Sequence, residues 1–419
     1  MDVIIVGAGI GGLTTALALR AQGVPGRIRV FEAVAEIRPL GVGINVQSHA
    51  SRELTRLGLR EAMAAAGVET RERAYYTHHG QLIFSEPTGR FAGFEYSQFS
   101  IHRGDLLMIL AAAARERLGA GNILCGHRCV EFQDDGDGVT LHFVDPEGRP
   151  LPSVRGDLVI AADGIHSAIR RQLYPEEGEP RFHGINMWRG VTRAKPFLTG
   201  ASTIQVGSLH RTGKMVIYPI RNDVDDKGSQ LINWNVDAVT QERGAIDWGK
   251  QGRLEDFFHL VKDWNFDWLD PASLVRNAEF IFSFPMVDRD PIDRWVFNRV
   301  ALLGDAAHPM YPRGGNGGAA AILDAVAIAG LLADSDDVVS ALRAYEAQRL
   351  PAANRVVLQT REASPDTIID LVETRTNGQR FANVDDVIGR DEILAITDGY
   401  KHVVSGDIIP RGHENKLPQ

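Results

Sequence analysis

The chain has 419 residues, 44% hydrophobic and 24% charged, a globular composition with room for two domains that excludes a disordered protein. Acidic side chains outnumber basic ones 54 to 45, for a net charge of −9, which speaks against a nucleic-acid binder. It leaves room for an anionic small molecule, because one local Arg can hold a carboxylate inside an acidic protein.

The opening MDVIIVGAGIGG starts with an acid and runs straight into a strand, so no signal peptide is expected. DVIIVG reads as a parallel strand buried on both faces, LTTALALRAQG as a helix ending near Gly23, and IRVFE as a second strand ending at Glu32. Between them, Gly7 permits a tight turn, Gly9 lets the backbone approach a pyrophosphate, and Gly12 lets the helix pack close to the strand. The helix N-terminus then favours an anionic diphosphate, and Glu32, 20 residues after Gly12, stands where an acid accepts hydrogen bonds from a ribose. A Gly-rich turn that only packs a helix is the plain alternative; strand, helix and acid together favour dinucleotide binding.

SIHRGDLLMILAAAARERLG contains the next helix, with Arg103 near its start as a candidate for a cofactor phosphate or a solvated surface Arg. NILCGHRCVEFQ reads as one strand, which places Cys125 and Cys129 about 13 Å apart, too far for a disulfide. His127 between them is not expected to make a metal site, and sparse cysteine fits a reducing cytoplasm. VTLHFVD is a further strand. DLVIAADGIHSAIRRQL is a strand–turn–helix that puts Asp163 at a strand end, as a helix cap or a cofactor contact.

From Pro180 to Pro285 aromatic residues multiply and the αβ alternation stops, which reads as a mostly antiparallel sheet covering a ligand. INMWRGV and KMVIYPI are strands whose alternate side chains face it. Arg189 is the candidate partner for a substrate carboxylate or phenolate, and Tyr218 for a ring hydroxyl; a surface Arg and a core Tyr are equally good readings. Met187, Asn233, Trp234, Pro312 and Asn316 are weaker candidates for the pocket wall, and His210 and His308 are the histidines to examine for a base, His308 as the more structural of the two.

RVALLGDAAH returns to a buried strand and places Asp305 at the carboxyl edge of the sheet, for a sugar-like hydroxyl or as a helix cap. Gly314, Gly315, Gly317 and Gly318 feed a helix starting near Ala319, whose N-terminus suits negative charge on a reduced ring. The apolar run from Ala319 to Ala333 is interrupted by Asp324 and is short for a membrane span, so none is expected. The helix VVSALRAYEAQRL should stop at Pro351. A helical segment with a polar tail, PRGHENKLPQ, completes the chain.

The fold class is therefore α/β. A discontinuous Rossmann-like domain (1–75, 97–179 and 286–355) carries an inserted, mostly antiparallel substrate domain (76–96 and 180–285) and a helical tail (356–419).

The order GAGIGG with Glu32, HRGDL, ADGIHSAIR, LLGDAAHPMYPRGGNGG and YEAQRLP resembles the class A flavoprotein monooxygenases, the p-hydroxybenzoate hydroxylase superfamily, over nearly all of the first 355 residues. Within it, EIRPLGVGIN, SIHRGDL, MWRGVT and PMVDRDP are more similar to the phenazine monooxygenases than to the benzoate hydroxylases. The resemblance implies a GR2-type FAD site. In it Gly7, Gly9, Gly11, Gly12, Glu32 and Ala33 hold the adenosine and diphosphate, with Asn45, Arg103 and the Cys129 backbone near the cofactor. It assigns Asp163 to contacts shared by FAD and a reduced nicotinamide, Asp305 to the ribityl chain, and the backbone of Gly315, Asn316, Gly317, Gly318 and Ala319 to the flavin edge. Asn316 stands where the family often has Gln, a departure on the substrate side.

The implied chemistry is reduction of FAD by NADH or NADPH, formation of a flavin hydroperoxide with dioxygen, and oxygen transfer to an aromatic or heteroaromatic small molecule, with or without decarboxylation. The alternatives are a flavin halogenase, whose WxWxIP signature is missing here, a reductase, or a binding module that merely holds FAD. A second Gly-rich motif for the nicotinamide is also missing, and nothing fixes the oligomeric state, a homodimer being one option.

Overall fold

A computed structural model describes residues 1–240, 251–362 and 366–405. The first layer grows from the N-terminal βαβ unit. Strand β1 (Asp2–Val6) is buried from Val3 to Val6, helix α1 (Ile10–Ala21) crosses over, and β2 (Arg27–Phe31) pairs parallel to β1. Strands Leu158–Ala161, Val300–Leu302, Ile123–Leu124 and Val296–Phe297 complete a six-stranded sheet that is parallel except at its last strand. Helix α2 (Arg103–Leu118) packs beside α1, as does α3 (Asn316–Ala333). Short helices Ser48–Arg56 and Arg60–Ala66, which the sequence did not single out, support this layer.

Three expectations need correcting. NILCGHRCVEFQ is not one strand: Gly126 takes φ +72°, and the chain leaves the parallel sheet after Leu124 to enter a three-stranded antiparallel sheet at Arg128. Both cysteines are free thiols. Helix α4 (Val338–Glu362) runs through Pro351 instead of stopping there. Proline removes one helical hydrogen bond, but burial on both sides of it outweighs that loss: Leu342 and Tyr345 before it, Ala353, Val356 and Val357 after it. Finally, the helical run containing α3 extends from Arg313 to Ala333, 21 residues, long and apolar enough by length and composition to cross a membrane. It is packed as a core helix, and its Asp324 has no exposed surface.

The second layer is a seven-stranded sheet. Its central strands are β4 (Arg181–Ala194), β5 (Ser202–Val206), β6 (Lys214–Arg221), β7 (Gln230–Val239) and β8 (Phe280–Asp288), antiparallel in the order β8–β4–β7–β6–β5. Strand Glu72–Tyr76 adds to β5 in parallel, with Leu82–Pro87 at the edge. One face carries Trp188, Trp234, Ile217 and Val236 into an apolar core of its own, which Phe257 joins from the helical segment after Leu254. The other faces the first layer. Helix α5 (Thr367–Arg375) packs at the Glu72–Tyr76 edge through Ile368, Ile369 and Val372 against Tyr75 and Ile83. The polar tail lies outside the described residues.

Candidate active site

The nucleotide end is built on glycines that the backbone requires. Gly7 adopts φ +100°, and a Cβ there would sit 2.3 Å from the Ala162 oxygen. At Gly12 a Cβ would lie 2.0 Å from the Gly7 oxygen, so α1 can spring from the turn only without a side chain. A Cβ on Gly9 would meet nothing within 4 Å, which leaves that side open. Gly11 plays a different part: its missing Cβ lets α1 approach Leu303 and Ala321, so its role here is packing. Helix α1 has neither a side-chain cap nor an acid in its first turn, and its N-terminus lies at a cavity of about 650 Å³. The helix dipole and the N–H groups of that first turn favour an anion there.

Gly7, Gly9, Glu32, Ala33, Cys129 and Asp163 all line this cavity. Glu32 is rigidly held, Oε2 accepting from the Ala8 N–H (2.7 Å) and Oε1 from the Val34 N–H (3.0 Å). Asp163 does help to cap a helix, Oδ2 accepting from the Ala168 N–H at 3.0 Å, yet its buried Oδ1 has no partner. Burial raises its pKa. Cys129 is buried and its thiol is pushed up to about 12, so it stays protonated and contributes packing and backbone. His127, Arg128, His166 and Arg171 also line the cavity. The sequence motifs that contain them gave them no cofactor role, because their placement depends on the turn at Gly126 and on the loop after Asp163.

At the other end Gly304 and Asp305 form a short turn after strand Val300–Leu302. Asp305 and Arg103 both have exposed side chains, yet the protein around them desolvates both: the Asp305 carboxyl is raised and the Arg103 guanidinium lowered, each countered by the other's charge. Both keep exposed surface, Asp305 beside Gly317 and Arg103 beside Gly41. Gly314 and Gly315 turn the chain at φ +72° and +70°, and Gly315 leads directly into α3. The Gly315 Cα side faces Asn45 of β3 (Gly43–Val46), and a Cβ on Gly317 would lie 3.7 Å from Asp305 Oδ1, so the first turn of α3 shares the cleft with Asp305. Gly318 packs on Ile44 and Ala319 is buried. Asn45 Oδ1 accepts from the Ser100 hydroxyl at 2.6 Å. Gln47, which the sequence did not single out, donates from Nε2 to the Gly314 oxygen (2.7 Å) and to Asn316 Oδ1 (2.9 Å). Asn316 is thus a buried bracket of the turn.

The register of the large sheet sorts its cleft-facing residues into three rows. In the first, Asn233 and Tyr218 pair across β7 and β6 and lie beneath β3. Asn233 Oδ1 accepts from the Gly43 N–H at 2.7 Å, and a Cβ on Gly43 would be 2.7 Å from the Tyr218 ring. In the third, Phe284, Met187, Asp237 and Lys214 are neighbours and all are buried. Tyr311 covers Met187, and the Lys214 ammonium pairs with Asp366. The second row, between them, is Phe282, Arg189, Asn235, Val216 and Gln205; all but Asn235 are only half-buried. It is the open floor of the cleft.

Arg189 lies on that floor. Its Nη2 donates to the Gly43 oxygen at 2.7 Å, while its buried Nε has no partner. Tyr218 is buried, and burial raises its phenol pKa against the opposing charge and hydrogen bond of Arg189. Trp234 is a correction: it projects from the opposite face, fully buried, with Nε1 donating to Thr192 Oγ1 at 3.0 Å. A one-residue step along a strand reverses the face, which separates it from Asn233. Pro312 is exposed on the turn before Gly314. His210 is exposed, and His308 is fully packed with Nε2 on Asp324 Oδ2 at 2.5 Å, behind the cleft. Among the described residues no cluster of His, Cys, Asp and Glu suits a metal ion.

Residues 1–360 match the FAD binding domain family. The chain is 43% identical over 407 residues to a phenazine 1,6-dicarboxylic acid hydroxylase of Lysobacter antibioticus, covering 96% of this chain and 97% of that one. It is 34% identical over 362 residues to an aurachin C monooxygenase/isomerase of Stigmatella aurantiaca, covering 85% and 87%. Among solved structures it superposes on Klebsiella pneumoniae HpxO complexed with FAD and uric acid, with a TM-score of 0.73, 25% identity and 98% of each chain covered.

Proposed function

The chain belongs to the FAD binding domain family, and from that premise we propose that it hydroxylates a heteroaromatic carboxylic acid of the phenazine class, with NADH or NADPH as electron donor. It is an FAD-dependent aromatic monooxygenase. The residues fit the cofactor: a turn that only glycine can make, a helix N-terminus over a cavity, an orphaned Asp163 oxygen, and a second helix N-terminus beside Asp305. FAD, when bound, supplies the electron transfer and the activation of dioxygen.

In this reading the chain's own groups bind and orient. The N–H groups at the start of α1 hold the diphosphate, Glu32 the adenosine ribose, Asp305 the ribityl hydroxyls, and Arg103 adds positive charge near the phosphates. The backbone N–H groups opening α3, between Gly315 and Ala319, suit negative charge on the ring edge. Arg189 anchors the substrate carboxylate, and Tyr218, kept as a neutral phenol by burial, steadies Arg189 and donates toward a ring substituent. The sheet above excludes water. The observation that carries the substrate reading is Arg189, a cation on the open row whose buried Nε lacks an acceptor.

We also place the protein in the cytoplasm, where reduced nicotinamides are held, and divide it into a discontinuous cofactor-binding domain and a substrate sheet. Asp163 is the proposed contact for a transiently docked nicotinamide.

The test is direct. Purified protein should absorb near ~450 nm, and phenazine carboxylic acids should accelerate NADH or NADPH oxidation and yield an oxygenated product. A colourless protein that takes up no FAD would overturn the reading. A yellow protein that yields only peroxide across a panel of phenazine and benzoic acids would overturn the substrate class.

A further inference from the structure

The open row of the sheet has two polar ends. Across the strands it runs Phe282, Arg189, Asn235, Val216, Gln205, one residue from each of β8, β4, β7, β6 and β5. Neighbouring strands lie about 4.8 Å apart, so the Arg189 and Gln205 backbones are three steps, about 14 Å, from one another. Arg189 supplies a cation at one end, its Nη2 donating to the Gly43 oxygen at 2.7 Å and its Nε without a partner. The Gln205 amide stands at the other, half-buried and without a hydrogen bond among the described residues.

Between them Asn235 is held in one orientation: its Nδ2 donates to Asp237 Oδ1 at 2.8 Å, which turns its own Oδ1 to the row as an acceptor. Val216 completes the floor with a flat apolar surface. Beyond Arg189 the rings of Phe282 and Phe284 stack with centroids 5.9 Å apart. Beyond Gln205 the row is closed by Tyr75, its register neighbour, fully buried under Ile368 and Ile369 of α5. The two other sides are already occupied, by β3 over Tyr218 and by Tyr311 over Met187.

We propose that this row reads its substrate at both ends, Arg189 taking an anionic group and Gln205 a second polar group at the far end of a fused, multi-ring aromatic. The inference rests on the hydroxylase reading and deepens it, by making Gln205 a specificity-determining residue. A single-ring acid bound at Arg189 leaves the Gln205 amide unmatched. A three-ring acid with a second carboxyl or hydroxyl on its opposite ring satisfies both ends. A ligand that covers the half-buried Gln205 amide without pairing it strips water from the amide at a cost to binding, so the site favours the molecule that supplies the second polar group.

The experiment compares phenazine-1,6-dicarboxylic acid with phenazine-1-carboxylic acid, which lacks the far group, on the FAD-loaded enzyme and on Gln205→Leu and Gln205→Glu. FAD content and the visible spectrum check that each variant is folded. The ratio of kcat/KM for the diacid over the monoacid should fall about tenfold in Gln205→Leu, through KM more than through kcat, and further in Gln205→Glu, where like charges oppose. A ratio within twofold of the parent in both variants, with the parent turning over both acids, overturns this inference and leaves the hydroxylase reading standing. A parent that turns over neither acid, nor shifts its flavin spectrum with them, overturns the substrate class and this inference with it.

Discussion

Asp324 is where a single substitution should expose how the cofactor turn is held. It lies on α3 with no exposed surface, and its carboxylate accepts from three sides: the Gly304 N–H (3.2 Å), His308 Nε2 (2.5 Å) and Arg349 Nε of α4 (2.8 Å). Burial alone would push the carboxyl up, but the neighbouring His308 and Arg349 outweigh it and the net shift is downward. Asp324→Asn keeps the shape and removes the charge, which leaves the largely buried Arg349 guanidinium unpaired. Breaking a buried pair in this way costs about 3–5 kcal/mol.

The site should feel it too, because the Gly304 N–H bond is one of the contacts that fix the turn presenting Asp305. Guanidinium unfolding of the apoprotein and FAD titration by flavin fluorescence measure the two effects. Asp324→Asn should lose about 3 kcal/mol of unfolding free energy and weaken FAD binding at least severalfold. Arg349→Met placed on top should restore more than about 1 kcal/mol, since it removes the orphaned charge. Unfolding free energy within about 1 kcal/mol of the parent, with no coupling to Arg349 and unchanged FAD affinity, would refute the argument.

Gly12→Ala places a Cβ 2.0 Å from a backbone oxygen that only a shift of the turn can relieve. The variant should purify without flavin absorbance yet with a normal far-ultraviolet spectrum, and a stoichiometrically yellow Gly12→Ala protein would show the turn to be more yielding than its geometry. Glu32→Gln should weaken FAD binding by about tenfold or more, the cost of one charge-assisted hydrogen bond; a change under threefold would remove Glu32 from the ribose site. His49, buried on helix Ser48–Arg56, has its pKa lowered to about 4 by burial and by Arg52 and Arg349. The unfolded chain takes up that proton near pH 6.5 and the folded one only near 4, so stability is full above the first value and is lost as the pH falls toward the second. The shift corresponds to about 3 kcal/mol. His49→Gln should flatten that part of the acid limb, which unfolding near pH ~7 and ~4.5 measures; parallel limbs would assign the loss to another group.

The nucleotide half was legible because its chemistry is local. A turn that needs positive φ at Gly7 and a close backbone approach at Gly12 admits only glycine there, so the turn, and Glu32 at the end of the next strand, can be read from spacing alone; in the proposed reading this turn would hold the diphosphate. Where local rules misled, packing had overridden them. Pro351 should end a helix, and does not, because Tyr345 donates to the Leu302 oxygen before it and Asn354 to the Ile292 oxygen after it. Gly126 reads as an ordinary strand residue until its turn redirects the chain from one sheet to another.

The substrate half was illegible for a different reason. Its floor takes one residue from each of five strands, and membership depends on register, which no single strand reveals. Asn233, Trp234 and Asn235 are consecutive, yet the first is covered by β3, the second faces the opposite core, and the third lies on the open row. Arg189 could be nominated for its charge, whereas Gln205, Lys214 and Asp237 look in sequence like solvated strand residues. Only pairing sets Gln205 three strands from Arg189, and only α5, far along the chain, buries Lys214 against Asp366. On the proposed reading cofactor binding is concentrated in contiguous motifs and substrate choice is spread over strand register, so substitutions that exchange one substrate for another should fall at scattered positions of this row while the glycine turns stay fixed.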